Sequence, residues 1–315
     1  AVVLDEVHLY STAQQAAAFN WFINAISPAV GAPRWVLAAG DLPPADLPLR
    51  DDLRTRLGWG HVFELQVLPE TEMRAVLRRA ADLYEENFGP IFGILGREAG
   101  KSLGDAVAEL REAVDFLRYY ASEGEASPQP PRGIVGAISP WNFPLAIFTG
   151  QIAAALMAGN AVIAKPAEPT PVIAMLGVQL LHQAGVPKTA LQLLPGRGSV
   201  VGTAMTSDPR VAGVVFTGST DTAQVIARSM AQHLEPGTPL IAETGGLNAM
   251  VVDSTALPEQ AVRDVVNGAF RSAGQRCSAL RILYVQKDVE KKVLEMLEGA
   301  MAALKLGDPW QLSTD

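Results

Sequence analysis

The chain carries one cysteine, Cys277, in the run Gly274-Gln-Arg-Cys-Ser278. Small and polar neighbours directly after an apolar, amphipathic stretch over residues 259–273 place this thiol at a loop or helix end, where a thiolate can act as a nucleophile. A buried structural cysteine is the alternative that the residue alone leaves open. Glu243, in Ile241-Ala-Glu-Thr-Gly-Gly246, ends an apolar strand and is followed by glycines. It can face a cleft as a general base or be an ordinary loop carboxylate. Asn142 lies in Ser139-Pro-Trp-Asn-Phe-Pro144, a turn held by two prolines after a strand, where an amide donor can be fixed toward an oxyanion. Lys165 and Glu168 also follow a strand, giving a cation and an acceptor at the edge where α/β sheets bind ligands. The run Phe216-Thr-Gly-Ser-Thr220 reads as a strand, a glycine turn and a helix N-cap, an arrangement suited to a phosphate but not a G-x-G-x-x-G fingerprint. Arg276 either favours the thiolate beside it or is a salt-bridged surface arginine.

The elements that must position these groups alternate. Strands are expected over residues 134–138, 161–164, 191–194 and 211–216, and helices over 145–157, 170–185, 199–205 and 222–233, joined by glycine and proline turns. That pattern is a doubly wound parallel α/β sheet. Ahead of it Leu103, Val107, Leu110, Val114, Leu117 and Tyr120 recur at spacings of three and four, marking an amphipathic helix. A further strand, helix, strand series covers residues 2–4, 13–25 and 35–39, and another helix begins at Glu70 and runs to about residue 83. The 315 residues leave room for about two domains. A hydrophobic content of 49% and a charged content of 18% exclude intrinsic disorder, and a net charge of -8 disfavours nucleic acid as a partner. The apolar stretch 145–164 carries Thr149, Gln151 and Asn160 and reads as a buried helix followed by a core strand rather than a membrane span. No signal-peptide pattern opens the chain, and a lone cysteine fits a reducing, cytoplasmic compartment.

From about residue 83 to 315 the sequence resembles the aldehyde dehydrogenase superfamily. The runs Pro131-Arg-Gly-Ile-Val-Gly-Ala-Ile-Ser-Pro-Trp-Asn-Phe-Pro144, Ala242-Glu-Thr-Gly-Gly246 and Gly274-Gln-Arg-Cys-Ser-Ala-Leu-Arg281 most resemble its L-glutamate γ-semialdehyde (1-pyrroline-5-carboxylate) dehydrogenase branch, as found in bifunctional proline utilisation proteins. The resemblance implies that Cys277 is the nucleophile and Glu243 the general base, with the Asn142 side chain and the Cys277 N–H as oxyanion hole. NAD is the implied cofactor: Lys165 and Glu168 on the adenosine ribose, Gly218 and Ser219 against the phosphates, and Ser139, Pro140, Trp141 and Gly245 around it. Glu168 would favour NAD over NADP by repelling a 2′-phosphate. Ser278 would help bind the substrate carboxylate. The substrate is a small-molecule aldehyde; no metal and no membrane are implied, and the intact family member forms a homo-oligomer. The family's glycine near position 223 is Ala223 here. Its Glu-x-Phe motif, the remainder of its substrate-anchoring loop and its oligomerisation strands are not found, so a truncated catalytic domain with impaired turnover, or a dead NAD-binding fragment, is expected.

Residues 1–82 instead resemble the AAA+ module of the DnaA and Hda replication regulators. Val2-Val-Leu-Asp-Glu-Val-His8 matches Walker B, Trp35-Val-Leu-Ala-Ala-Gly-Asp41 the sensor 1 strand, and Leu49-Arg-Asp-Asp-Leu-Arg-Thr-Arg-Leu-Gly-Trp-Gly60 the arginine-finger segment. The match implies Asp5 for Mg²⁺, Glu6 for water and Arg56 as the finger. The Walker A pattern is absent from the sequence, so no ATPase is expected. The expected organisation is a partial AAA+ fragment over 1–82, an NAD-binding domain over 83–243 and a truncated catalytic domain over 244–315. The two resemblances meet at Leu77-Arg-Arg-Ala-Ala-Asp-Leu83, which reads as the junction of a chimera, with a regulatory interaction module as the competing function.

Overall fold

A computed structural model describes residues 1–62, 70–123 and 130–314. The chain divides into two compact units, residues 1–67 and 68–315.

In the first unit, β1 (Val2–Leu4) and β2 (Val36–Ala38) pair in parallel, Val2 opposite Val36. Between them runs α1 (Thr12–Ile26), whose start is fixed by a capping box in which Ser11 Oγ accepts from the Gln14 N–H and the Gln14 side chain accepts from the Ser11 N–H. The short helix α2 (Asp51–Leu57) closes the unit by burying Leu53 against Leu4, Val7, Ala18, Leu47 and Leu49.

The second unit opens with three helices, α3 (Glu70–Glu86), α4 (Phe88–Ala99) and α5 (Leu103–Glu123). A five-stranded parallel sheet follows, made of β3 (Ile134–Ile138), β4 (Ala161–Lys165), β5 (Leu191–Leu193), β6 (Val211–Gly218) and β7 (Leu240–Thr244) in the order β5-β4-β3-β6-β7. The connecting helices are α6 (Ala146–Met157), α7 (Pro171–Ala184), the short α8 (Thr203–Ser207) and α9 (Thr220–His233). The chain leaves β3 toward β4 and β5 on one side and returns to β6 and β7 on the other. The crevice at the carboxyl ends of β3 and β6 is therefore the switch point at which sheets of this kind receive ligands.

Local chemistry explains the elements. Proline at the first turn of α7 and Gly185 at φ +117° after its last turn give it a clean start and stop. The membrane-like stretch at 145–164 divides into α6 and β4, and α6 is apolar on every side because it is packed on every side, with Phe148, Ile152 and Leu156 fully covered. Among the described residues no helix is long and apolar enough to cross a membrane. Beyond Thr244 the chain changes sheet: β8 (Asn248–Val252) and β9 (Leu280–Val285) form a separate parallel pair, covered by α10 (Pro258–Phe270) and α11 (Lys287–Ala303) around buried Val252, Val262 and Val293.

The unit boundary at 67/68 corrects the expected division at 82/83. Helix α3 passes through that point without a break, and its buried residues Met73, Val76, Leu77, Ala80, Ala81 and Tyr84 all belong to the core of the second unit. The expected helix over 259–273 ends earlier, at Phe270, because Ser272 and Ala273 adopt left-handed backbone angles. On α5, Leu103 and Val107 are exposed; the covered face is Ala106, Leu110, Ala113, Val114, Leu117 and Ala121, and it also carries Asp105 and Glu109. The small alanines let α5 approach α3 and α6 closely, which outweighs the larger side chains in choosing the face.

Candidate active site

Cys277 is exposed, in the turn between α10 and β9. Three residues ahead of the Gln275–Cys277 stretch, Ser272, Ala273 and Gly274, have φ of 54°, 52° and 67°. Left-handed angles cost energy at Ser and Ala, and persist where surrounding contacts over-determine them. Those contacts are visible. Arg281 Nη2 donates to the Gly274 carbonyl at 2.6 Å, Asn142 Nδ2 to the Gln275 carbonyl at 2.8 Å, and Asn248 Nδ2 to the carbonyls of Cys277 and Ala279 at 2.7 and 3.0 Å. A Cβ on Gly274 would stand 2.8 Å from the Ala269 carbonyl oxygen, so the turn is closed to larger residues.

Asn142 is thereby joined to the segment of the thiol. One amide proton of Asn142 is engaged by the Gln275 carbonyl. Asn142 lies in the loop between β3 and α6, and that loop is held from beneath by Glu109. Glu109 Oε1 accepts from the N–H groups of Leu145 and Ala146 at 3.0 and 3.1 Å, capping the start of α6, while Oε2 stands 2.9 Å from Lys101 Nζ. The Lys101 ammonium lies 4.3 Å from the centroid of Phe143. Ser139, buried at the end of β3, donates from Oγ to Gln151 Oε1 at 2.7 Å, and Gln151 Nε2 donates to Thr217 Oγ1 at 3.1 Å. Pro140 is buried behind the loop and Trp141 is exposed at its tip.

Glu243 is exposed on β7, directly opposite Thr217 of β6 in the parallel register. It is thus on the strand next to the switch point, and Gly245 lies open two residues on, with no atom within 4 Å of where a Cβ would be. Ser278 is exposed beside Cys277.

The residues expected at the cofactor's ribose and phosphates end or follow β4 and β6. Gly218 ends β6 where a Cβ would stand 2.5 Å from Phe216 Cζ, so a larger residue there would have to displace the Phe216 ring. Ser219 then caps α9 by accepting from the Thr222 N–H, leaving first-turn N–H groups for an anion. Ala223 is 9% exposed and packs with Ile226 and Met230 in the core beneath the sheet, so its methyl does not occupy the crevice. Lys165, at the end of β4, is buried, and its Nζ donates to the Pro166 carbonyl at 2.9 Å. Burial pushes this ammonium below its ordinary range, and Glu168 opposes that shift. Glu168 is fixed by the Gly198 N–H at 2.8 Å, with its second oxygen available.

In the first unit Asp5 and Glu6 follow β1, with the Glu6 N–H donating to Asp5 Oδ1 at 3.0 Å, and the Arg56 guanidinium lies 3.9 Å over the Trp59 ring. Among the described residues no three His, Cys, Asp or Glu side chains gather as a metal site. Sequence reasoning misses Asp105, Glu109, Gln151 and Asn248. The acids left one signal, a spacing of four on a helix face that is otherwise apolar.

Residues 63–315 match the model of the Aldehyde dehydrogenase family, so the match begins ahead of the expected residue 83 and takes in α3. The bifunctional protein PutA of Klebsiella aerogenes is 58% identical over 254 residues, which are 78% of this chain and 19% of that protein. The 1-pyrroline-5-carboxylate dehydrogenase of Anoxybacillus flavithermus is 38% identical over 265 residues, 77% of this chain and 51% of that protein. A solved 1-pyrroline-5-carboxylate dehydrogenase from Thermus with bound NAD superposes with a TM-score of 0.72 at 34% identity, covering 77% of this chain and 51% of that one. The chain spans about half the length of the two dehydrogenases and about a fifth of PutA. A parallel sheet with its crevice at the switch point, a thiol segment tied to the loop after β3 and a family match over most of its length agree: the chain belongs to the aldehyde dehydrogenase family.

Proposed function

We propose that the chain is the part of an NAD-dependent dehydrogenase that oxidises L-glutamate γ-semialdehyde to L-glutamate, the final oxidation in breaking down proline. The observation that carries this reading is the bond from Asn142 to the Gln275 carbonyl, which joins the oxyanion donor to the nucleophile's own segment. The relatives named for PutA and for 1-pyrroline-5-carboxylate dehydrogenase support the substrate, and the Thermus structure with NAD supports the cofactor.

NAD, when bound along Lys165, Glu168, Gly218 and Ser219, supplies the hydride acceptor. The chain's residues do the remainder. Cys277 Sγ adds to the aldehyde carbon, and the oxygen that gains charge accepts from the second amide proton of Asn142 and from the Cys277 N–H. Oxidation leaves the acyl group on Sγ as a thioester. Glu243 then takes a proton from water as the water attacks that thioester, releasing the acid and the thiol. Ser278 donates to the substrate carboxylate. The proposed cofactor contacts run from Ser139 to Gly245 within the second unit, and the thiol segment lies beyond them, joined to the loop after β3 through Asn142. A cytoplasmic site of action fits a thiol that must stay reduced.

For the first unit, the parallel pairing of β1 with β2 supports the AAA+ resemblance, since these are the two strands named in it.

The test is NADH formation from glutamate γ-semialdehyde, with Cys277→Ala as control and with NADP in place of NAD. Turnover that is lost in Cys277→Ala and several-fold lower with NADP supports the reading. NAD binding without turnover identifies a dead fragment, and turnover retained in Cys277→Ala refutes the assignment of the thiol.

A further inference from the structure

Arg276 directly precedes the nucleophile, and its charge is taken up by the helix on the far side of the site. Its Nη2 donates to Asp105 Oδ1 at 2.9 Å, and the same oxygen accepts from Arg271 Nη2 at 3.0 Å. Asp105 is 6% exposed and lies in the first turn of α5, on its covered face; the helix N-terminus favours a carboxylate there, but burial takes away its hydration, which Arg271 and Arg276 replace. Its two partners stand at the two ends of the left-handed turn that leads to Cys277. The carbonyls of that segment are pinned by Arg281, Asn142 and Asn248, whereas its two cations are pinned by Asp105 alone among these groups. Arg276 also lies 6.0 Å over the Phe143 ring, the ring that meets Lys101 at 4.3 Å, so the contacts of Asp105 and Glu109 converge on the loop of Asn142.

We propose that Asp105 is a positioning residue for the nucleophile: it ties down Arg271 and Arg276 and cancels part of their charge, so that α5 sets both the place of the Cys277 segment and the electric field at the thiol. This rests on the reading of Cys277 as nucleophile. The charged groups facing Asp105 and Arg276 are Glu109 and Glu112 from α5, Lys101 from the turn before it, and Arg271 and Arg281 from the nucleophile's side. Of these, Lys101 and Glu109 are already paired with one another. Loss of the Asp105 charge therefore leaves Arg271 and Arg276 without their bonded carboxylate and raises the net positive charge of the segment that leads to Cys277.

Because Cys277 is the chain's one cysteine, its alkylation by iodoacetamide is read without interference and without turnover. The rate is measured against pH in the full chain for wild type, Asp105→Asn and Asp105→Glu, with melting curves in the same buffers. In Asp105→Asn the excess positive charge favours the thiolate, and the midpoint of the profile moves to lower pH by roughly half a unit, about threefold in rate at pH 7. Asp105→Glu, which keeps the charge, brings the midpoint back toward wild type. An aspartate that only holds structure would change the melting point and leave the midpoint in place, and that result overturns the proposal. Where Asp105→Asn does not fold, Arg276→Gln replaces it with the opposite expectation, a midpoint at higher pH. An unchanged midpoint there, or loss of fold in both variants, overturns the proposal as well. Failure of NADH formation in the dehydrogenase assay bears on the proposed function and leaves this profile untouched.

Discussion

Removing the Glu109 carboxylate should unseat the floor of the loop that carries Asn142. Glu109 is 1% exposed and Lys101 4%, and their side chains meet at 2.9 Å. The second carboxylate oxygen receives the N–H groups of Leu145 and Ala146. In Glu109→Gln the amide oxygen still accepts those two N–H groups, so the change isolates the ion pair. A buried charge that loses its partner costs about 3–5 kcal/mol, and the face of Phe143 offsets part of this for Lys101, by about 1–2 kcal/mol. A loss of about 1–4 kcal/mol is the expectation. Glu109→Ala additionally orphans two N–H groups at about 1–3 kcal/mol each, which brings the total near the whole stability of an ordinary domain, about 5–15 kcal/mol. In Lys101→Met with Glu109→Gln no charge is left buried, and most of the loss in Glu109→Gln should return. Urea denaturation of wild type, Glu109→Gln, Glu109→Ala, Lys101→Met and the double variant, followed by circular dichroism, measures this. A loss under about 1 kcal/mol in Glu109→Gln, or a double variant as unstable as the sum of its parts, would refute the view that this pair holds the loop.

Three further outcomes are expected. Gly218→Ala pushes a methyl to within 2.5 Å of the Phe216 ring, and should lose about 1–3 kcal/mol of stability together with NAD affinity, measured by denaturation and by quenching of tryptophan fluorescence. Gly274→Ala places a methyl 2.8 Å from the Ala269 carbonyl at a φ of +67°, and should lower the melting temperature and uncouple the thiol segment, read as faster digestion by trypsin at Arg271 and Arg276. Burial raises the Tyr84 phenol well above its ordinary 10, so the folded chain keeps a proton that the unfolded chain gives up, and stability falls as pH rises past about 10. Tyr84→Phe, at about 1 kcal/mol for the lost bond to Thr149, should flatten that alkaline slope in denaturation curves taken between pH 8 and 11; an unchanged slope would exclude Tyr84 as its source.

The residues that punctuate the chain made the sheet legible. Pro140, Pro144, Gly159, Gly185 and Gly218 end or begin elements where turns demand them, and β3, α6, β4, α7 and β6 fall between them. Helix α4 escapes the same reasoning for the opposite cause. Its Gly89, Pro90, Gly93 and Gly96 look like breakers, yet proline is tolerated in a first turn and Gly96 makes room for Trp310, whose ring a Cβ would meet at 3.1 Å. Strands β8 and β9 and helix α11 are equally hard to recognise in the sequence, since these half-exposed strands have little of the continuous apolar character of β3 or β4. Within the site, Cys277, Asn142 and Lys165 are recognisable because their chemistry is carried by the residue itself. The roles of Asp105 and Glu109 depend instead on partners 171 and 36 positions away, and no local pattern states such a partnership.

The continuity of α3 has a practical consequence for anyone who would take the chain apart. Starting an expression clone at residue 83 would strip Met73, Val76, Leu77, Ala80 and Ala81 from the core they fill and leave Tyr84 as the ragged end of a groove. At about 1–3 kcal/mol for each of the larger side chains, that is more than such a module can lose. The seam that can be cut or exchanged lies ahead of Glu70, and the string Leu77-Arg-Arg-Ala-Ala-Asp-Leu83, however well it suits two ancestries on paper, answers to a single core.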